Sequence, residues 1–231
     1  MTENELREKV AAAALAWQGV RENTAKHREL LEIYNVQSPL PRGTRMQASW
    51  PWCAAFVSAV SLQCGLRDIL PTECSCPIMI TLYQQLGRWV EDDGYVPHPG
   101  DVLFYDWDDS GIGDNIGTAD HVGIVTACDG VHIDIIEGNS DNAVKPRRIA
   151  VNARFIRGYG VPDYASKADG AEPEPPPPDK DAEPTPADPF ITQIARQVIG
   201  GTWGNGQARR DALGRWFADA VQNEVNKILG A

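Results

Sequence analysis

The chain has 231 residues, 42% apolar and 23% charged, which describes folded protein of one or two domains and excludes collagenous and wholly disordered chains. Its formal charge of −11 disfavours nucleic-acid phosphates as partners. No apolar run reaches the roughly 18–20 residues of a membrane helix. The longest apolar run at the start, Val10 to Trp17, lacks the basic n-region of a secretory signal. Together with an odd number of cysteines (Cys53, Cys64, Cys74, Cys76 and Cys128), this predicts synthesis in a reducing compartment.

In chain order, Leu6, Val10, Ala13, Ala14 and Trp17 fall on one stripe, which predicts a helix over Glu3 to Trp17. Thr24 is a good N-cap for a second helix running to Tyr34. A third is predicted from Pro51, a favourable first-turn residue, to Cys64, and a fourth from Cys76 to Leu86. The rhythm then changes. Asp101–Tyr105, His121–Val125 and Val131–Glu137 are short, β-branched and bounded by Gly/Asp turns, so they read as strands, and Arg154–Val161 is a candidate for another. Asp129-Gly130 is a hairpin turn signal. Helices followed by an antiparallel meander give an α+β domain over residues 1–164.

Residues 165–189 contain eight prolines, seven acids and no large apolar side chain, so they cannot bury enough surface to offset ordering. They read as an acidic linker, which in polyproline II would reach roughly 75 Å at about 3.1 Å per residue. Residues 190–231 read as a three-helix bundle: Phe190–Ile199, Gln207 to about Phe217, and Asp219–Leu229.

Candidate chemistry is confined to the first domain. Cys53 falls in the first turn of the third helix, where free N–H groups and the helix dipole favour a thiolate nucleophile. A buried core cysteine is the plain alternative. His121 opens a strand after a long Gly/Asp-rich loop and is placed to project into a cleft; a surface histidine is the plain alternative. Glu137 and Asn139, two residues apart, share a strand face, and either could orient the imidazole. Asp106, Asp108, Ser110, Gly111 and Asp114 partly match a calcium-loop spacing, but Gly117 stands where the bidentate Glu belongs. Cys74-Ser75-Cys76 is too tight for a zinc half-site, and His98 and His132 have no ligand-like companions, so no metal or other cofactor is expected. Trp50, Trp52 and Trp107 flank these residues and could line a substrate groove, whereas Trp17 and Trp89 read as core.

"WCAAFVS", "PGDVLFYDW", "DHVGIV" and "IIEGN", in that order, resemble the CHAP family of peptidoglycan amidohydrolases, a papain-like fold found in phage endolysins and bacterial autolysins. "HRELLEIYNVQSPLP" is similar to a phage lysin subgroup. The resemblance implies Cys53 as nucleophile, His121 as general base, Glu137 as its orienting partner and Asn139 as a further polar site residue. CHAP enzymes that bind calcium carry an acidic motif before the nucleophile, where this chain has the basic "LPRGTRMQAS". "GGTWGNGQAR" and "VQNEVNKIL" resemble the CW-type helical repeat, a wall-binding module, and imply Trp203, Asn205 and Arg209 near its binding surface. The Gly-Tyr-Asp usual between its second and third helices is replaced by Gly214-Arg215-Trp216-Phe217. The expectation is a phage or prophage endolysin, an N-acetylmuramoyl-L-alanine amidase or alternatively an endopeptidase with the same site. A protein of a different class, a wall binder with a dead site, is the third reading. The expected partner is bacterial peptidoglycan, with no nucleic acid or membrane, for a monomer or weak dimer. It would be made in the host cytoplasm and act on the wall after release.

Overall fold

The computed structural model describes residues 1–92, 94–110 and 115–169, together with residues 195, 198, 199, 222, 225, 226 and 228. The chain divides into two compact units, Met1–Glu174 and Pro175–Ala231, with the boundary inside the proline-rich segment.

The first unit is α+β. Among the described residues four α-helices come first: α1 (Glu3–Leu15), α2 (Ala25–Asn35), α3 (Cys53–Cys64) and α4 (Cys76–Gln85). Six strands follow: β1 (Trp89–Val90), β2 (Val102–Tyr105), β3 (His121–Cys128), β4 (His132–Ser140), β5 (Ala143–Ala150) and β6 (Ile156–Gly160). They form one antiparallel sheet in the order β1-β6-β2-β3-β4-β5.

Local chemistry sets the helix starts. Thr2 and Glu5 form a capping box at α1, satisfying two orphan N–H groups reciprocally. The Thr24 hydroxyl accepts from His27 N–H at α2, where the sequence places the cap. α3 begins two residues later than the sequence suggests. Pro51 stays outside and Trp52 takes the N-cap, so Cys53 is the first helical residue. α3 is apolar nearly all round, with every residue from Cys53 to Ser61 buried, as befits a helix enclosed on all sides.

The sheet packs α3 through alternate residues: Val122, Ile124, Ile136 and Val144 join Trp52, Phe56, Val57 and Val60 in the main core. The other face buries Leu103, Tyr105, Val125, Ile133, Ile135 and Tyr159 in a second cluster, built among the described residues from strands and loops. The ladder register shifts at Phe104/Tyr105, Val125/Ala127 and Glu137/Ser140, and a bulge at such a position adds a bend and local twist.

Two strands go beyond the sequence reading. β1 is two residues long. β5 pairs with β4 through a two-residue turn in which Asp141 and Asn142 both have positive φ, the conformation that matches strand twist in a tight hairpin. In the second unit the described residues are helical, and Ala195, Val198 and Val225 are buried. They fall within the first and third expected helices. The second expected helix, which includes Arg209, and the preceding Trp203 and Asn205 lie outside the described residues.

Candidate active site

Cys53, His121 and Glu137 come from three elements that the packing brings together at one end of the sheet. Two glycines make this possible. Gly138 lies where a Cβ would come within 2.4 Å of Phe56 Cβ, so its absence lets α3 press directly on β4. Gly123 is the cross-strand partner of Glu137, and a Cβ there would meet Glu137 Cγ at 2.9 Å. The carboxylate side chain occupies that space.

The Glu137 carboxylate is fully buried and holds two cationic partners. Its Oε2 lies 3.2 Å from His121 Nε2, and its Oε1 accepts from Arg147 Nε at 2.6 Å. Burial alone would push this carboxyl upward, but hydrogen bonds and charge from His121 and Arg147 prevail and hold it near 2. His121 is 9% exposed. Burial works against its charge, yet interaction with the Cys53 thiol and Glu137 raises it to about 9. Cys53 shifts downward. A hydrogen bond from Cys76 contributes most and outweighs burial, and His121 and the Ala54 N–H of the first turn of α3 add to it. The site therefore favours a thiolate–imidazolium pair resting on a buried carboxylate.

A cleft of about 300 Å³ borders Cys53 and is lined also by Met46, Trp50, Pro51, Cys76 and Asp120, among others. Near His121, the Trp107 ring stacks on Tyr105 at 4.7 Å and lies 6.3 Å from the imidazole. The Arg147 guanidinium sits 4.9 Å over the Trp107 ring. Trp107 is 36% exposed and so offers an aromatic face beside the site.

Two expectations need correction. Trp52 does not line a groove. It is 0% exposed, with its ring 4.7 Å from His27 and its indole N–H donating to Glu22 at 3.3 Å. A large ring at the N-cap of an enclosed helix is turned inward, and Trp50, two residues earlier, takes the exposed position. Asn139 does not share the strand face of Glu137. It adopts φ 59° in the bulge that shifts the β4–β5 register, which breaks the two-residue alternation. Among the described residues no hydrogen bond links it to His121 or Cys53. Trp17 is core, and Trp89 packs on Phe104.

Sequence reasoning missed Arg147 and Cys76. Arg147 belongs to the overlooked β5, and the Asp141-Asn142 turn was the signal for that strand. Cys76 was weighed only as a metal ligand, whereas its sulfur lies 3.7 Å from that of Cys53. In the acidic loop, residues 111–114 lie outside the described residues. Asp106 accepts from Asp108 N–H, Asp120 accepts from Trp107 N–H, and Asp109 pairs with Arg154. No group of three or more His, Cys, Asp or Glu side chains is placed to hold a metal among the described residues.

Two family models match the chain: the CHAP domain over residues 44–139 and the CW_7 repeat over residues 192–229. The first spans Cys53, His121, Glu137 and Asn139. The chain thus carries the domain of cysteine- and histidine-dependent peptidoglycan hydrolases, followed by a cell-wall-binding repeat. No curated protein and no solved structure matches the chain.

Proposed function

We propose that the protein is a phage or prophage endolysin that hydrolyses the amide between N-acetylmuramic acid and L-alanine in bacterial peptidoglycan. The observation that carries the chemistry is the buried chain of contacts from Cys53 through His121 and Glu137 to Arg147. The Cys53 thiolate attacks the carbonyl carbon and forms a tetrahedral intermediate. The first N–H groups of α3 have no carbonyl one turn earlier to bond, and they stabilise the developing oxyanion. Protonated His121 donates to the leaving amine, and a thioester remains on Cys53. His121 then takes a proton from water, which attacks the thioester and frees the acid. Glu137 fixes the ring and stabilises its charge, Arg147 holds Glu137, and Trp107 gives the glycopeptide an aromatic face.

In this reading residues 1–164 are catalytic, residues 165–189 tether, and residues 190–231 bind the wall, with Trp203, Asn205 and Arg209 near the glycan surface. The protein is made in the host cytoplasm, acts as a monomer or weak dimer and uses no cofactor. The test is digestion of purified peptidoglycan followed by mass spectrometry of the fragments. Release of peptides with free L-alanine N-termini supports the amidase. New N-termini within the stem or cross-bridge would make it an endopeptidase, and no release would leave a wall-binding protein.

A further inference from the structure

Cys76 is a nucleophilic group that the hydrolysis above leaves unused. It opens α4 as Cys53 opens α3. Both thiols are free, buried and part of the lining of one cleft, with their sulfurs 3.7 Å apart. A disulfide needs about 2.05 Å, so the sulfurs must close by about 1.7 Å. From this geometry we infer that Cys53 and Cys76 form a reversible disulfide when the protein meets a peroxide, an oxidative modification site that silences the enzyme and shields Cys53 from irreversible oxidation.

The two sulfurs have different parts. Cys53, whose thiol is drawn down, supplies the thiolate, while Cys76 is held protonated by its hydrogen bond to Cys53 and by burial. The Cys53 thiolate attacks one oxygen of hydrogen peroxide. An S–O bond forms, the O–O bond breaks, and the departing hydroxide takes back from His121 the proton that Cys53 gave up and leaves as water, so that sulfur is oxidised to sulfenic acid and peroxide is reduced. The Cys76 sulfur then attacks the sulfenic sulfur. An S–S bond forms, the S–O bond breaks, and the departing hydroxyl takes the Cys76 proton as water. Two thiols and one peroxide become one disulfide and two waters. An added dithiol reverses the change by exchange. Cys74, also at the cleft, is engaged by Arg42 Nη2 at 3.6 Å and is not the resolving thiol.

The test uses the full chain, treated with hydrogen peroxide, alkylated with iodoacetamide, digested and mapped by mass. The expected product has lost two hydrogens, joins the Cys53 peptide to the Cys76 peptide, and carries alkyl groups on the other three cysteines. Dithiothreitol is expected to restore both alkylation and the lytic rate. Cys76→Ser is expected instead to collect two oxygens on Cys53. Its lytic rate, relative to its own untreated rate, stays down on the order of tenfold or more after dithiothreitol, because sulfinic acid resists thiols. Cys74→Ser is expected to form the same cross-link as the unaltered chain. A different cysteine pair, or sulfinic acid forming on Cys53 of the unaltered chain as readily as in Cys76→Ser, overturns the inference. The mapping of the unaltered chain decides the matter even if Cys76→Ser fails to fold. Only the lytic readout rests on the proposed function. A correct cross-link in a chain that never releases fragments refutes that function and not this site.

Discussion

At the scale of single residues, the decisive group is the carboxylate of Glu137. An isolated buried carboxylate is costly, and this one is retained because His121 and Arg147 each bring a positive charge to it. The thiolate–imidazolium pair predicts a bell-shaped pH profile for fragment release. The acid limb, set by Cys53, falls well below the ordinary thiol range. The alkaline limb, set by His121 losing its proton, falls near 9. Glu137→Gln is expected to lower kcat and to move the alkaline limb downward, because the imidazolium loses its anionic partner. An unmoved limb would show that Glu137 does not act through the ring. Arg147→Ala is expected to leave Glu137 oriented by one cation only and to lower kcat less than Glu137→Gln. Cys53→Ala is expected to abolish fragment release while binding to isolated walls persists. Stability follows the same residues. Glu137 is held near 2 against an ordinary value of 4.5. Its contribution to stability is present above pH 4.5 and is lost as the pH falls towards 2. His121 works the other way: its contribution is full below 6.5 and is lost as the pH rises through about 9. Thermal melts across that range test both signs.

At the scale of elements, the site depends on how closely α3 can approach the sheet. Gly138→Ala would drive a methyl against Phe56 and within 3.0 Å of the Trp52 ring, both fixed in the core. Overpacking of this kind costs about 1–3 kcal/mol and should lower Tm by several degrees, on the order of 2–4 °C per kcal/mol for a chain of this size. A calorimetric Tm equal to that of the unaltered chain would show that α3 can slide without penalty. The same elements explain what the sequence made legible. The four helices announce themselves through caps and apolar stripes, and β2, β3, β4 and β6 through short β-branched or aromatic runs. Cys53, His121 and Glu137 stood out as candidates at a helix first turn and at strand ends, each with a plain alternative, and it was the CHAP-like motifs around them that joined them into one site. β5 was hidden because Lys145, Pro146, Arg147 and Arg148 break every rule for a central strand. An edge strand tolerates proline, and charges there discourage pairing with another chain. Missing β5 meant missing Arg147. The bulge at Asn139 was hidden for a different reason: alternation assumes an unbroken ladder, and the register shift is a tertiary event. Trp52 was misplaced because neighbouring aromatic residues carry no sign of which one turns inward.

For the whole molecule, charge is distributed unevenly along the chain. Residues 1–164 carry 14 basic and 22 acidic side chains, a net of −8, and residues 165–189 carry a net of −5. Residues 190–231 carry five basic and three acidic side chains, a net of +2. Many bacterial walls are polyanionic, so they repel the first unit, most strongly at 0.01 M salt, where the Debye length is about 30 Å. On the proposed function, retention at the wall is expected to fall to the cationic segment, which carries the CW_7 repeat. Tyr164 is fully buried and its hydroxyl donates to the Gly100 carbonyl, so a truncation at that residue would sit at the edge of the core. A chain ending at Glu174 keeps the whole first unit. Such a chain is expected to cleave soluble muropeptides at a near-normal rate and to lose most of its activity on intact cells at low salt. Raising the salt to about 0.15 M, where the Debye length is about 8 Å, is expected to recover part of that loss by screening the repulsion. Over the same series the full chain should change less, because attraction by one segment and repulsion by the others are screened together. The measurement is turbidity loss of whole cells for both chains at each salt concentration. Equal lysis by the two chains at every concentration would show that the C-terminal segment does not hold the enzyme at the wall.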